Sequence, residues 1–239
     1  MSEQKVVTEM FNDISPRYDF LNHLLSFGID RCWRRKTSRI VTKRHPATIL
    51  DVATGTADLT IQLAKDNPTA TITGVDLSEK MLEIGRKKIS KKQLDHRITL
   101  EISDAVQLSF PNNNFDAVTV AFGVRNFEDI EKGLQEMFRV SKDGGMLAVL
   151  EFSRPKSFWI RAPYNIYSQK LLPFVGRVIS GHRNAYRYLP TSIEQFPDAE
   201  TLTKMMERNG FRDIKKEMFS GGIVTLYYGY ARKKPLVSQ

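Results

Sequence analysis

The chain has 239 residues, of which 41% are hydrophobic, 26% charged and 10% aromatic, a balance that suits one globular domain with a sizeable core and excludes a disordered or fibrous chain. A single cysteine, Cys32, excludes a disulfide framework and any cysteine-based zinc cluster. Thirty-six Lys and Arg against 27 Asp and Glu leave a net charge of +9, an excess that suggests an anionic partner such as nucleic acid, a membrane surface or a phosphorylated ligand.

Residues 1–46 read as helices: Phe20, Leu21, Leu24, Leu25 and Phe27 make an apolar face, and a second segment from Asp30 to His45 is dense in Arg and Lys and ends at Pro46. From Thr48 the pattern changes to short β-rich runs alternating with amphipathic segments. The runs are Thr48–Ala53, Thr71–Val75, Ile98–Ile102, Phe115–Ala121 and Met146–Phe152; the segments Asp58–Lys65, Ser78–Lys92 and Phe127–Val140 have helical spacing. Such alternation implies βαβ units and a parallel sheet covered by helices on both faces. From Ser153 to about Ile193 the alternation gives way to an aromatic and basic stretch. A helix follows from Ala199 to Asn209, then two runs, Phe211–Phe219 and Ile223–Arg232, separated by the hairpin signal Ser220-Gly221-Gly222.

In doubly wound sheets, ligands bind beyond the carboxyl ends of the strands, most often at the first strand–helix turn. Here that turn is Leu50-Asp51-Val52-Ala53-Thr54-Gly55-Thr56-Ala57-Asp58, with Gly55 able to bring backbone close to a ligand. Asp76 ends the second run, where a carboxylate can accept hydrogen bonds from both ribose hydroxyls. Ser103-Asp104-Ala105 follows the third run and places a carboxylate for an adenine amino group. A pyrophosphate loop would need G-x-G-x-x-G, and the sequence from Gly55 reads Gly-Thr-Ala-Asp-Leu-Thr. That disfavours a dinucleotide and favours a nucleoside ligand without pyrophosphate, S-adenosylmethionine. Taken singly, Gly55 could be a tight turn and Asp51 and Asp76 helix caps; three acids at three successive strand ends argue for the ligand.

Several longer blocks resemble the ubiquinone/menaquinone biosynthesis C-methyltransferase family, nearly end to end. They are Phe11-Asn12-Asp13-Ile14-Ser15-Pro16-Arg17-Tyr18-Asp19 with Leu21-Asn22, then Trp33-Arg34, Leu50–Asp58, and Phe122-Gly123-Val124-Arg125-Asn126. Met137-Phe138-Arg139-Val140 with Gly144-Gly145, and Leu150-Glu151-Phe152-Ser153-Arg154-Pro155, complete the set. Ala53 and Ala57 stand where other methyltransferases often have glycine. The resemblance implies a class I S-adenosylmethionine-dependent methyltransferase fold, Rossmann-like, with a seven-stranded, mostly parallel sheet and an antiparallel C-terminal hairpin. It implies a helical cap over 1–46, a cofactor core over 47–152, a helical insert over 153–196 and a last helix and hairpin over 197–239. By the same resemblance Thr56, Asp76, Asp104 and Ala105 contact the cofactor, a serine contact of some relatives is lost at Ala121, and the substrate is a polyprenylated benzoquinol or naphthoquinol methylated at a ring carbon. The Gly-Thr-Ala-Asp loop favours the naphthoquinol branch, demethylmenaquinol to menaquinol, with a dual-substrate enzyme as the alternative.

A quinol carbon is a better nucleophile as the phenolate, so the site needs a base or a stabilising cation. Arg125, at the end of the fourth run, is the candidate cation, with Asn126 as its hydrogen-bonding neighbour; alternatively Arg125 pairs with Glu128 or Asp129. Tyr18 and His23, in the N-terminal helices, are candidate base and orienting residues, although a histidine in an apolar helical segment is more often structural; His182 is a further candidate. No His, Asp and Glu set has metal-ligand spacing, so no metal is expected.

Residues 152–193 contain seven Lys and Arg and no Asp or Glu, interleaved with Phe152, Phe158, Trp159, Tyr164, Tyr167, Phe174, Tyr186 and Tyr188. That stretch carries seven of the nine net positive charges and leaves +2 for the other 197 residues. Cations among amphipathic aromatics suit reversible docking on anionic headgroups. With no apolar run approaching the ~20 residues of a membrane span and no signal peptide in the polar start Met1–Glu9, a cytoplasmic protein with peripheral contact to the membrane is expected. An RNA-modifying enzyme is the rival reading of the same patch, but no appended RNA-binding module and no Asn-Pro-Pro-aromatic motif accompany it. A catalytically silent scaffold is the remaining alternative.

Overall fold

The computed structural model describes residues 3–155, 157, 159 and 183–233. Two helices open the chain, α1 (Glu3–Leu25) and α2 (Ile29–Thr42), followed by β1 (Thr48–Val52), α3 (Asp58–Asp66), β2 (Thr71–Asp76), α4 (Glu79–Lys91), β3 (Ile98–Ile102) and β4 (Phe115–Ala121). A short 3-10 turn over Val124–Asn126 leads to α5 (Ile130–Val140) and β5 (Ser141–Phe152). Helices α6 (Arg183–Gln195) and α7 (Ala199–Arg208) and the strands β6 (Phe211–Phe219) and β7 (Val224–Ala231) complete the described chain.

The seven strands form one sheet in the order β3-β2-β1-β4-β5-β7-β6. Strands β1 to β5 pair in parallel, whereas β7 inserts antiparallel between β5 and β6. The expected sheet and hairpin are both present. From β1 the chain turns outward to β2 and later returns to the other side at β4, so the switch in strand order lies between β1 and β4.

Period-2 alternation along the central strands feeds two cores. Ile49, Ile72 and Ala148 face Trp33 and Val41 of α2, Leu63 of α3 and Leu82 of α4. Leu50, Val118, Val120 and Val149 face Leu134 and Met137 of α5 and Leu202 and Met206 of α7. Two buried faces explain why these strands read as nearly continuous apolar runs.

The starts of β5 and α5 differ from the sequence pattern. Strand β5 begins at Ser141 rather than Met146, because Ser141 pairs with Phe115 across a register shift that precedes the Ala117–Met146 pairing. The polar Lys142-Asp143 and the left-handed Gly144 (φ +73°) belong to that irregularity and hide the strand's start from an alternation pattern. The helix expected from Phe127 begins only at Ile130, where the Asp129 carboxylate caps it by accepting from the Lys132 N–H at 3.0 Å. The basic residues Lys156, Arg161, Lys170 and Arg177, the rings Phe158, Tyr164, Tyr167 and Phe174, and His182 lie outside the described residues.

Candidate active site

A cavity opens along the carboxyl ends of β3, β2, β1 and β4, at the switch point. The strand order sets the sequence of its polar groups: Ser103, Asp104 and Ala105 after β3, Asp76 at the end of β2, Gly55 after β1, and Phe122 to Asn126 after β4. Helix α1 closes it from above with Val7, Phe11 and Tyr18.

The helix is held down by polar contacts to the sheet's loops. The Ser78 hydroxyl donates to Asn12 Oδ1 at 2.6 Å, and Asp19 accepts from the Thr56 hydroxyl and, at 2.9 Å, from Lys88, which also reaches Asp58.

The Asp76 carboxylate is fixed by backbone donors, with Ser78 N–H on one oxygen and Gly55 N–H on the other, both at 2.9 Å. Burial pushes its pKa up, and these backbone bonds oppose the rise. Gly55 has φ +55°, and a Cβ built on it would meet nothing within 4 Å, so this position borders open space in the cavity. Ala53 (φ +52°) and Ala57 (φ +64°) also sit in the left-handed region, which accounts for glycine being the residue expected there. Beside Asp104 and Ala105, the buried Ser103 hydroxyl has no hydrogen-bond partner among the described residues. A buried orphan hydroxyl is costly unless a ligand satisfies it. An adenosine moiety fits this set: a carboxylate for ribose, a carboxylate and backbone for adenine, and a free hydroxyl between them.

Asp51 and Thr56 do not line the cavity. Asp51 is 1% exposed, and its carboxylate accepts from the hydroxyls of Thr54 (2.9 Å), Thr60 (2.6 Å) and Thr119 (2.7 Å). Its place is inside the sheet, tying the turn after β1 to β4. Thr56 turns its hydroxyl toward Asp19 and Lys88 under α1.

Arg125 is also drawn away from the cavity. Its Nη1 donates to the Phe122 carbonyl and to Glu151 Oε1, the latter at 2.7 Å, and its Nε is buried without a partner among the described residues. The partner is thus Glu151, at the end of β5, and neither Glu128 nor Asp129. Burial raises the pKa of Glu151, and the Arg125 charge opposes that rise. The sequence pattern gives Glu151 no role; its mark there is a lone carboxylate closing the apolar run Met146–Leu150.

Asn126 lines the cavity and accepts the Tyr188 hydroxyl on its Oδ1 at 3.0 Å, which leaves its amide N–H groups as donors. Tyr18 lines the cavity too, edge-on to Phe11 at 6.0 Å. Burial raises the Tyr18 pKa; Arg125 opposes the rise, as do a hydrogen bond with Asn22 and the Arg34 charge. Its hydroxyl is therefore a donor at neutral pH rather than a base.

His23 faces elsewhere. Its Nδ1 is 2.8 Å from Asp30 and its Nε2 3.7 Å from Asp58, at the junction of α1, α2 and α3. The structure here brings together a His-Asp-Asp group that sequence spacing did not reveal, with ligand-type atoms within 4.8 Å of one another. Arg34 on Asp30 and Lys88 on Asp58 already neutralise both carboxylates.

Comparison with known proteins agrees with this fold. Among solved structures, a [4+2]-cyclase, SpnF, superposes with a TM-score of 0.71 over 98% of both chains at 18% identity. A methyltransferase from Thermotoga maritima gives 0.64 over 94% of this chain at 17% identity. Likeness at that level speaks for the fold alone. Sequence relatives are far nearer. A demethylmenaquinone methyltransferase of Bacteroides fragilis is 44% identical over 95% of this chain and 91% of its own length. That of Porphyromonas gingivalis is 46% identical over 93% of this chain and 91% of its own. A ubiquinone/menaquinone biosynthesis C-methyltransferase of Geobacter sulfurreducens is 44% identical over 93% and 87%. The family model that spans residues 1–231 is that of the ubiE/COQ5 methyltransferases, and the chain belongs to this family.

Proposed function

We propose that this protein transfers a methyl group from S-adenosylmethionine to a ring carbon of a polyprenylated naphthoquinol, converting demethylmenaquinol to menaquinol. The observation that carries the reading is the family match over residues 1–231, joined to a cavity whose acids stand at the ends of β2 and β3. The names of the relatives from Bacteroides and Porphyromonas favour the naphthoquinol. The name of the Geobacter relative favours a second reading, in which the benzoquinol precursor of ubiquinone is also accepted.

In this reading Asp76 holds the ribose hydroxyls, Asp104 and the Ala105 N–H hold the adenine, Ser103 donates to the nucleoside, and Gly55 lets the backbone approach it. When bound, the cofactor supplies a methyl group on a sulfonium, a leaving group that needs no acid assistance. The chain supplies alignment and a dry cavity, with Phe11 and Phe122 as apolar walls beneath α1. Tyr18 and Asn126 donate to the quinol oxygen and stabilise the phenolate that makes the ring carbon nucleophilic; the hydroxyl proton passes to solvent, and after methyl transfer the proton on the methylated carbon returns to the oxygen to restore the quinol. Arg125 acts through its neighbours as a positioning residue: it fixes the Phe122 carbonyl and Glu151, and its charge favours negative charge near the Tyr18 hydroxyl.

Among the described residues no helix is long and apolar enough to cross a membrane. Because a polyprenylated quinol resides in the bilayer, the proposal includes peripheral contact with the inner membrane face. Transfer of labelled methyl groups to a lipid extract and to RNA tests the reading. Label in the naphthoquinone fraction is expected, and label in RNA alone would overturn it.

A further inference from the structure

The corner between α1 and α2 exposes four large apolar side chains within ten residues: Phe20 (60% exposed), Leu24 (42%), Phe27 (79%) and Ile29 (45%). Phe20 and Leu24, one helical turn apart, lie on the side of α1 opposite the cavity-lining Phe11 and Tyr18. Phe27 has φ +52° and precedes Gly28 at φ +73°, a turn closed by Gly28 N–H donating to the His23 carbonyl at 2.7 Å. A left-handed backbone is strained for a bulky residue, and a ring left in water gains no burial to compensate.

Directly beyond this corner, α2 presents Arg31, Arg35, Arg39 and, just past its end, Lys43, all exposed and four residues apart, with exposed Lys36 and Arg44 alongside. From Phe27 to Arg44 the only acidic residue is Asp30, and it is buried. Residues 31–44 hold seven Lys and Arg and no acid. With this block and residues 152–193 set aside, the remaining 183 residues have 22 Lys and Arg against 27 Asp and Glu. The net positive charge of the molecule therefore comes from two stretches, and one of them adjoins the exposed rings.

We propose that the α1–α2 corner is a membrane-docking surface: Phe20, Leu24, Phe27 and Ile29 enter the acyl boundary of an anionic bilayer while the α2 stripe binds its phosphodiester headgroups. Interfacial helices combine aromatic and aliphatic insertion with a Lys- and Arg-rich face in this way. A second copy is a poor occupant, because an isologous contact would set two such cationic stripes against each other. RNA fits the cations but leaves Leu24 and Ile29 without a role, since bases stack on planar groups. The proposal rests on the quinol reading for its purpose, delivery of a bilayer-resident substrate, and not for its measurement.

The test is flotation of the full chain with phosphatidylglycerol–phosphatidylcholine vesicles and with phosphatidylcholine alone. Two double variants are compared, Phe20→Ser with Phe27→Gly and Arg35→Glu with Arg39→Glu; the glycine relieves the strained turn and so protects folding. Wild type should float with the anionic vesicles only. At about 1 kcal/mol per cation, the charge-reversed variant should bind roughly thirtyfold more weakly or worse, and the Phe variant should also lose binding. Both should methylate a water-soluble, short-tailed quinol as wild type does and lose rate on a long-tailed quinol in vesicles. Wild type that ignores anionic vesicles, variants that float like wild type, or binding competed away by tRNA would overturn the proposal. Vesicle binding that depends on this corner, in a protein that methylates neither quinol, would uphold the docking and sink the quinol reading instead.

Discussion

The Arg125 guanidinium and the Glu151 carboxylate form an ion pair across the ends of β4 and β5, Nη1 to Oε1 2.7 Å, with side chains 5% and 0% exposed. Removing one member of such a buried pair leaves the other charge uncompensated and costs about 3–5 kcal/mol. Arg125→Ala should lower folding stability by that order in urea unfolding. Arg125→Met combined with Glu151→Gln should recover most of the loss. Cofactor affinity should stay near wild type in the double variant.

Asp51 gives a pH dependence of defined sign. Burial raises its pKa against the pull of three threonine hydroxyls. The native state then holds the proton more tightly than the unfolded chain, so this group favours folding most at low pH, and its contribution falls as pH rises from the ordinary carboxylate value through the raised native one. Relative to wild type, Asp51→Asn should therefore gain stability progressively as pH rises over that interval. Urea midpoints of the two proteins at a series of pH values read the difference, and a midpoint of the Asn variant that falls relative to wild type as pH rises would contradict it.

Asp76 and Ser103 should separate in calorimetry with S-adenosylmethionine. Hydrogen bonds to a charged group are worth about 1.5–3 kcal/mol, so Asp76→Ala should weaken binding by about tenfold to a hundredfold or more. Ser103→Ala removes one neutral bond and should cost about tenfold at most. Equal affinity in all three proteins would remove both residues from the nucleoside site.

Tyr18 and His23 should differ in kinetics. Tyr18→Phe removes a donor from the cavity and should lower kcat by about a hundredfold, the usual scale for one preorganised donor, with little change in the KM for S-adenosylmethionine. His23→Gln should leave kcat near wild type and reduce stability, because His23 holds Asp30 rather than substrate. Asp30 supports this reading: burial would raise its pKa, yet the Ser26 hydrogen bond and the charges of Arg34 and His23 bring it below the ordinary value.

The strands and helices were legible because two buried faces write apolar runs and amphipathic spacing directly into the chain; β3 and β4 match the pattern to the residue. The positions after β1, β2 and β3 were legible because strand ends are where such folds bind ligands. What each carboxylate does there was not. Asp51 and Asp76 look alike in sequence, and only register decides that one meets Thr119 on β4 while the other borders the cavity. The same holds for Arg125, whose partner lies 26 residues away on an adjacent strand, beyond what local spacing can express. His23, Asp30 and Asp58 converge only because α1, α2 and α3 meet. Net charge misled by averaging, since a nearly neutral remainder concealed the cationic stripe of α2.

Helix α1 supplies the roof of the cavity yet contributes no strand to the sheet; the polar contacts that fasten it include Asn12 to Ser78, Asp19 to Thr56 and Lys88, and His23 to Asp30. The roof and the sheet are therefore separate parts, joined in part by side-chain bonds that a substitution can remove without touching a strand. Loss of one such bond should loosen the roof before it loosens the sheet, and a nucleoside beneath it should leave sooner. An Asp19→Ala enzyme would accordingly release spent cofactor faster, and its dissociation rate measured by stopped flow would rise without any drop in the melting temperature of the sheet.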